Sequence, residues 1–262
     1  MKRTTILIAA VAVMAAAAFA GPSLASNASA AATSQVYVVH GIPGAPVDVY
    51  VDGALTLPDF QPKVVAGPLE LPEGDHQVEI FAATPAPPDE APASGALIDQ
   101  TETVPAGASV SLVANLDASG APALNAFVND TSTVGAGMAR VTVRHTAAAP
   151  GVDIDVDGTK AVSDLSNPDE AVAEIPTGSH EIAVKVAGTD TTVIGPATLD
   201  FAADTNTVVY AIGSVQDETL DVVVQALDTA ATPSTTQAPS TTMTPHRATP
   251  PAPVMAQPTY TG

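Results

Sequence analysis

The chain has 262 residues, with 28 acidic against 8 basic side chains, a formal net charge of −20, and neither cysteine nor tryptophan. Without cysteine there are no disulfides, no thiol chemistry and no cysteine-held zinc, and so acidic a surface repels phosphate, which excludes nucleic acid as a partner. The 24 prolines and 18 glycines interrupt the chain too often for long helices.

The first thirty residues read as an export signal. Lys2 and Arg3 precede an uncharged apolar run over residues 6–20, and small-x-small cleavage sites follow at Ala18-Phe19-Ala20 and Ala28-Ser29-Ala30. The run is shorter than the roughly 20 residues a spanning helix needs. A signal peptide over 1–30 is therefore expected, and a mature chain that does not span the membrane and is secreted, either extracellular or associated with the cell envelope.

Between the two ends the sequence repeats itself. Val36-Tyr37-Val38-Val39-His40 and Val47-Asp48-Val49-Tyr50-Val51-Asp52-Gly53 return as Val141-Thr142-Val143-Arg144-His145 and Val152-Asp153-Ile154-Asp155-Val156-Asp157-Gly158. Leu71-Pro72-Glu73-Gly74-Asp75-His76 is echoed by Ile175-Pro176-Thr177-Gly178-Ser179-His180. Two copies of one unit are expected, over 34–131 and 139–228, with 132–138 as linker.

Each copy is β by period. Val47, Val49 and Val51 alternate with Asp48, Tyr50 and Asp52, as on a half-buried strand. Val78 and Ile80, then Ile182 and Val184, repeat the pattern. Asp52-Gly53 and Asp157-Gly158 suit a tight hairpin turn. About seven strands per unit, at this spacing, predict an all-β chain of two tandem immunoglobulin-like β-sandwich domains. The copies differ at residues 83–95, a proline-rich stretch with almost no counterpart after Val186. It reads either as a binding loop or as a tolerated insertion.

From 229 to 262 the chain is rich in proline and threonine, with Arg247 its one charged residue. Such a segment cannot bury enough apolar surface to offset its ordering entropy, so a disordered tail is expected.

The run from His40 to Gly53 resembles the leading motif of a bacterial secreted family, domain of unknown function 4397. The Leu71-Pro72-Glu73-Gly74 step fits as well. The second copy keeps His145, Val152, Asp153, Val156, Asp157 and Gly158, but has Asp155 in place of Tyr50 and Ala147-Ala148-Ala149-Pro150 in place of the proline-centred stretch. The resemblance implies a β-rich extracellular domain in two tandem copies, and no activity.

Candidate chemistry is sparse. Asp153, Asp155 and Asp157, with Asp164 at the twelfth position, fit the opening of a calcium loop. The same residues read first as a solvated acidic strand face, because Val152, Ile154 and Val156 alternate and Lys160 stands where such a loop is apolar. His40 with His76, and His145 with His180, are candidates for paired zinc ligands or for rings packed on the core margin. No nucleophile elbow, zinc-protease motif or phosphate loop occurs. The expectation is a non-catalytic surface or matrix protein without a cofactor, its two domains serving as spacer or adhesion modules. Its partner would be an unidentified protein of the envelope or exterior, cationic in character because residues 34–228 carry five basic against 28 acidic side chains. A calcium-dependent or carbohydrate-binding module is the alternative.

Overall fold

The computed structural model describes residues 32–230. The export signal expected over 1–30 lies outside the described residues, as does the expected tail beyond Ala230. The first two residues of that tail belong to the fold: the Thr229 and Ala230 amides donate to the carbonyls of Asp204 and Thr131, each at 2.9 Å.

The described chain is all-β. The first repeat contributes β1 (Thr33–His40), β2 (Val47–Val51), β3 (Ala54–Phe60), β4 (Val65–Pro72), β5 (Gly74–Ala82), β6 (Ile98–Val104), β7 (Ser109–Leu116) and β8 (Pro122–Val128). The second contributes β9 (Met138–His145), β10 (Val152–Val156), β11 (Thr159–Leu165), β12 (Glu170–Pro176), β13 (Gly178–Val186), β14 (Thr192–Phe201), β15 (Thr205–Ile212) and β16 (Asp221–Asp228). Asp52 and Gly53 have φ of 52° and 77°, and Asp157 and Gly158 have 49° and 73°. These left-handed pairs close the two-residue hairpins β2–β3 and β10–β11, as the Asp-Gly steps predict.

Each repeat forms two four-stranded sheets. In the first repeat the order is β3-β2-β5-β6 in one sheet and β4-β1-β7-β8 in the other; the second repeats it as β11-β10-β13-β14 and β12-β9-β15-β16. The Glu73 and Thr177 steps carry the chain from one sheet to the other. Two features depart from the expected immunoglobulin-like plan. There are eight strands per repeat rather than seven, and the first strand lies beside the fourth and, in parallel, the seventh, not beside the second. The physical reason is that β1 and β9 do not form a hairpin with the next strand: the chain from His40 crosses to the opposite sheet before β2 begins.

The two sandwiches also share a core. Val36, Val38, Val49, Ile80 and Leu112 fill the space between the sheets of the first repeat. A second cluster joins Val39 and Val113 of the first repeat to Val208, Tyr210, Ile212, Val223 and Leu227 of the second, with Tyr37, Val65 and Phe127 packed against it. The sheets β4-β1-β7-β8 and β12-β9-β15-β16 therefore face each other, and each is covered on both sides. Two smaller clusters, around Ile154 and around Phe201, lie within the second sandwich.

Polar groups lock the shared face. Arg144 is 1% exposed; its Nε donates to Glu170 at 2.8 Å and its Nη1 to the Tyr210 hydroxyl at 2.9 Å, while its guanidinium stacks over the Phe127 ring of the first repeat at 4.5 Å. The Tyr210 hydroxyl donates to Gln225, which also accepts from Ser111 across the interface. The linker is held too: Val134 is buried, and Arg140 donates to the carbonyls of Asp130 and Ser132.

Candidate functional site

The repeated motif residues form the same bonds twice. In the first copy the Asp48 carboxylate accepts the backbone amides of Asp59 and Thr84, both at 2.9 Å. In the second copy Asp153 accepts those of Asp164, at 2.9 Å, and Gly188, at 3.0 Å. Each of these aspartates is 2% exposed, and each ties the following hairpin to the loop after the neighbouring strand. Asp52 and Asp157 fix the far end of the same strands. The Nδ1 of His76 lies 2.7 Å from Asp52 and its Nε2 lies 2.9 Å from the Pro72 carbonyl; His180 repeats both distances with Asp157 and Pro176.

Both nitrogens of each ring thus face acceptors, which favours the doubly protonated imidazolium. Burial pulls the His76 pKa down, but the Asp52 hydrogen bond, the Pro72 carbonyl and the charges of Asp52 and Asp75 together raise it. Hydrogen bonds to Asp157 and then to the Pro176 carbonyl raise that of His180. His40 and His145 behave oppositely. Their Nε2 atoms lie 3.3 Å from the Ala45 carbonyl and 3.0 Å from that of Pro150, their Nδ1 atoms are buried without a hydrogen-bond partner, and burial lowers both pKa values. The proposed His40–His76 and His145–His180 pairs are not brought together. His40 packs beside Phe60 at the Val47 end of β2, whereas His76 binds Asp52 beyond its Val51 end.

The calcium candidates are placed as a strand requires and then dispersed. Asp153, Asp155 and Asp157 alternate on one face along and just beyond β10, yet each carboxylate meets a different cation. Lys160 pairs with Asp153, Lys185 with Asp155 at 2.6 Å, and His180 with Asp157. The Lys160 ammonium, then the amides of Asp164 and Gly188, hold the Asp153 carboxyl down to about 2. Asp164 contributes its backbone amide to Asp153 at a φ of 53°. Among the described residues no group of three or more His, Asp or Glu is arranged to hold a metal ion.

The outer faces of the two sandwiches differ, and this difference builds the candidate site. On the second repeat, Asp155 and Lys185 form an ion pair. At the matching positions of the first stand Tyr50 and Phe81, whose rings meet edge to face with centroids 5.5 Å apart. Two exposed aromatics would be costly, and the proline-rich insertion covers them: the Tyr50 hydroxyl donates to the Pro88 carbonyl at 3.0 Å. The insertion then runs along the edge of β3, where Leu55 donates to Asp89 and Ala91 to Gly53. Residues 83–95 are thus a folded flap on the sheet. The sequence signal for it was the pairing of an aromatic-for-charge exchange with a long insertion in the same copy.

Between the flap and the sheet lies an open groove of about 660 Å³. Asp52, Glu79, Asp89, Glu90 and Asp99 line it, with no lysine, arginine or histidine among its lining residues. Asp99 accepts the Gln77 side-chain amide at 3.0 Å, and Asp52 carries the His76 bond on its rim. The second repeat lacks the flap and has Ala183 where Glu79 stands. A second cleft, between the repeats, of about 600 Å³ and lined by Asn167, Ser214 and Asp217 among others, offers a single carboxylate.

The profile of the family described as Domain of unknown function (DUF4397) matches residues 34–155. The matched stretch covers the whole first sandwich and continues through β9 to Asp155 in β10. No curated protein matches the chain.

Proposed function

We propose that the protein is a non-catalytic, secreted surface or matrix protein, built from two tandem copies of the family's unit, that captures a cationic protein segment in the acidic groove of its first repeat. The observation that carries this reading is the set of five carboxylates on the flap and the adjoining sheet, of which only Asp52, bonded to His76 at the rim, has a basic partner. Their spread along an open trough suits several lysines or arginines on an extended chain better than one metal ion, which needs converging ligands. The shared core supports a spacer role, since it joins the two repeats into one stiff unit.

The reading is tested with a lysine-rich peptide and the mature chain, by calorimetry at low and high salt. Binding should weaken steeply as salt rises, and should fall several-fold in the triple variant Asp89→Asn, Glu90→Gln, Asp99→Asn. Peptide binding that is absent, or that the triple variant leaves unchanged, overturns it.

A further inference from the structure

The second sandwich carries an apolar cleft that opens between its edge strands β11 and β12. Between its sheets lies a cavity of about 110 Å³, lined by apolar side chains that include Val141, Ala173, Ile182, Val184, Phe201 and Val209. Strand register identifies the residues that create it. Val36 pairs with Leu69 in the first repeat, and its counterpart Val141 pairs with Ala173. Val38 sits beside Leu112, and its counterpart Val143 beside Val209. Leucine to alanine removes three side-chain carbons at the sheet margin, where Leu69 is partly buried and Ala173 is exposed, and leucine to valine removes one from the interior beside it. Phe201, standing where the first repeat has Val104, returns bulk but leaves the space beside Ala173 open.

The cavity also has a route to solvent. Ala161 and Val162 of β11, and Ala171, Val172 and Ile175 of β12, line it, and these two strands are the edges of their sheets. Val172 is 51% exposed there, and Val162, Ile175 and Ile182 are only partly buried although they pack on the core clusters. In the first repeat Leu57, Leu69 and Leu71, likewise partly buried, place larger side chains against the core at the matching edge.

We propose that this cavity is a binding site for a small neutral apolar molecule, a single aromatic ring or a short alkyl chain. An apolar cavity of about 150 Å³ in an engineered protein stays dry and takes up benzene, so a space of this size holds a ring or a few methylenes and no more. The lining includes no charged side chain, so an ionic ligand would lose its hydration without recompense. The site is independent of the acidic groove, which lies on the other repeat.

Fluorobenzene is the probe, followed by its fluorine resonance with the mature chain, alongside thermal melts with and without the ligand. The wild type should shift or broaden the resonance, and the ligand should raise the melting temperature. Ala173→Leu restores the first repeat's residue; it should raise the melting temperature by itself and abolish the fluorine response. Val209→Leu is the second filling variant and should weaken the response. No response with the wild type, an undiminished response in both variants, or Ala173→Leu melting below the wild type would each overturn the proposal. In that last case there is no space to fill.

Discussion

Gly41→Ala tests whether the two repeats touch where the shared core says they do. Gly41 follows β1, is buried, and donates its amide to the Ala114 carbonyl at 2.7 Å. A Cβ added there would lie 2.9 Å from Cγ2 of Ile212, a residue of the other repeat, and 3.1 Å from the Ala114 carbonyl oxygen. Carbon pairs are most stable near 3.5–4.0 Å, so the methyl and Ile212 overlap by more than half an ångström. Ile212 is 2% exposed and branched at Cβ, so it cannot swing aside. Overpacking of this kind costs about 1–3 kcal/mol. The backbone itself accepts a side chain: the matching residue in the second copy is Thr146, whose hydroxyl donates to the Ala211 carbonyl at 2.9 Å. Ile212→Ala alone should cost about 2–5 kcal/mol through the cavity it leaves. The double variant should cost about 1 kcal/mol or more less than the sum of the two, because each change accommodates the other. Urea unfolding of the protein measures all four corners of the cycle. Additivity to within about 0.5 kcal/mol would mean that the repeats are not packed through this contact.

Two further outcomes follow from the same geometry. Tyr210→Phe removes the acceptor of the Arg144 Nη1 bond and the donor to Gln225, both buried, and should destabilise the fold by about 1–3 kcal/mol in urea unfolding; a loss below about 0.5 kcal/mol refutes the role given to that hydroxyl. The raised pKa of His76 means that its proton stabilises the native state: the contribution is complete below the unfolded value of 6.5 and is lost as pH rises through the folded value. The stability gap between wild type and His76→Gln should therefore be widest in mild acid and narrow toward alkaline pH, and a gap independent of pH would count against the imidazolium clamp. His40 and His145, with lowered values, act in the opposite sense and lose their contribution as pH falls below 6.5.

Much of this architecture is legible along the chain, because it depends on local chemistry. The alternation of Val47, Val49 and Val51 makes a strand whatever surrounds it. Asp52-Gly53 closes a hairpin because both residues tolerate positive φ. The internal duplication was visible in the spacing of His40 and Asp48 and of His145 and Asp153. A second signal went further than the pattern first suggested: Val36-Tyr37-Val38-Val39, Val110-Ser111-Leu112-Val113 and Val208-Val209-Tyr210 are nearly continuous apolar runs, the mark of strands covered on both faces.

What the linear pattern could not supply are the meetings between distant residues. Asp153, Asp155 and Asp157 are close in sequence, but in the fold each faces its own cation, Lys160 from β11 and Lys185 and His180 from opposite ends of β13. The His40–His76 pair was suggested by a repeated phase, but phase fixes a face and not a position along it. The proline-rich insertion acquired its meaning only when Pro88 met Tyr50, and Ala173 became a gap only when Leu69 was seen in its place opposite the other β-sheet.

The amino-acid order alone therefore determined the strands, their turns, the duplication and the acidity, since each of these follows from residues a few positions apart. Only the tertiary structure decided that the duplicates fuse through Val39, Val113, Tyr210 and Ile212, that a flap and a β-sheet border a carboxylate-lined groove, and that an apolar cleft opens between two edge strands of the second sandwich. Those outcomes depend on which side chains occupy the same volume, and volume is shared between residues that the sequence keeps far apart.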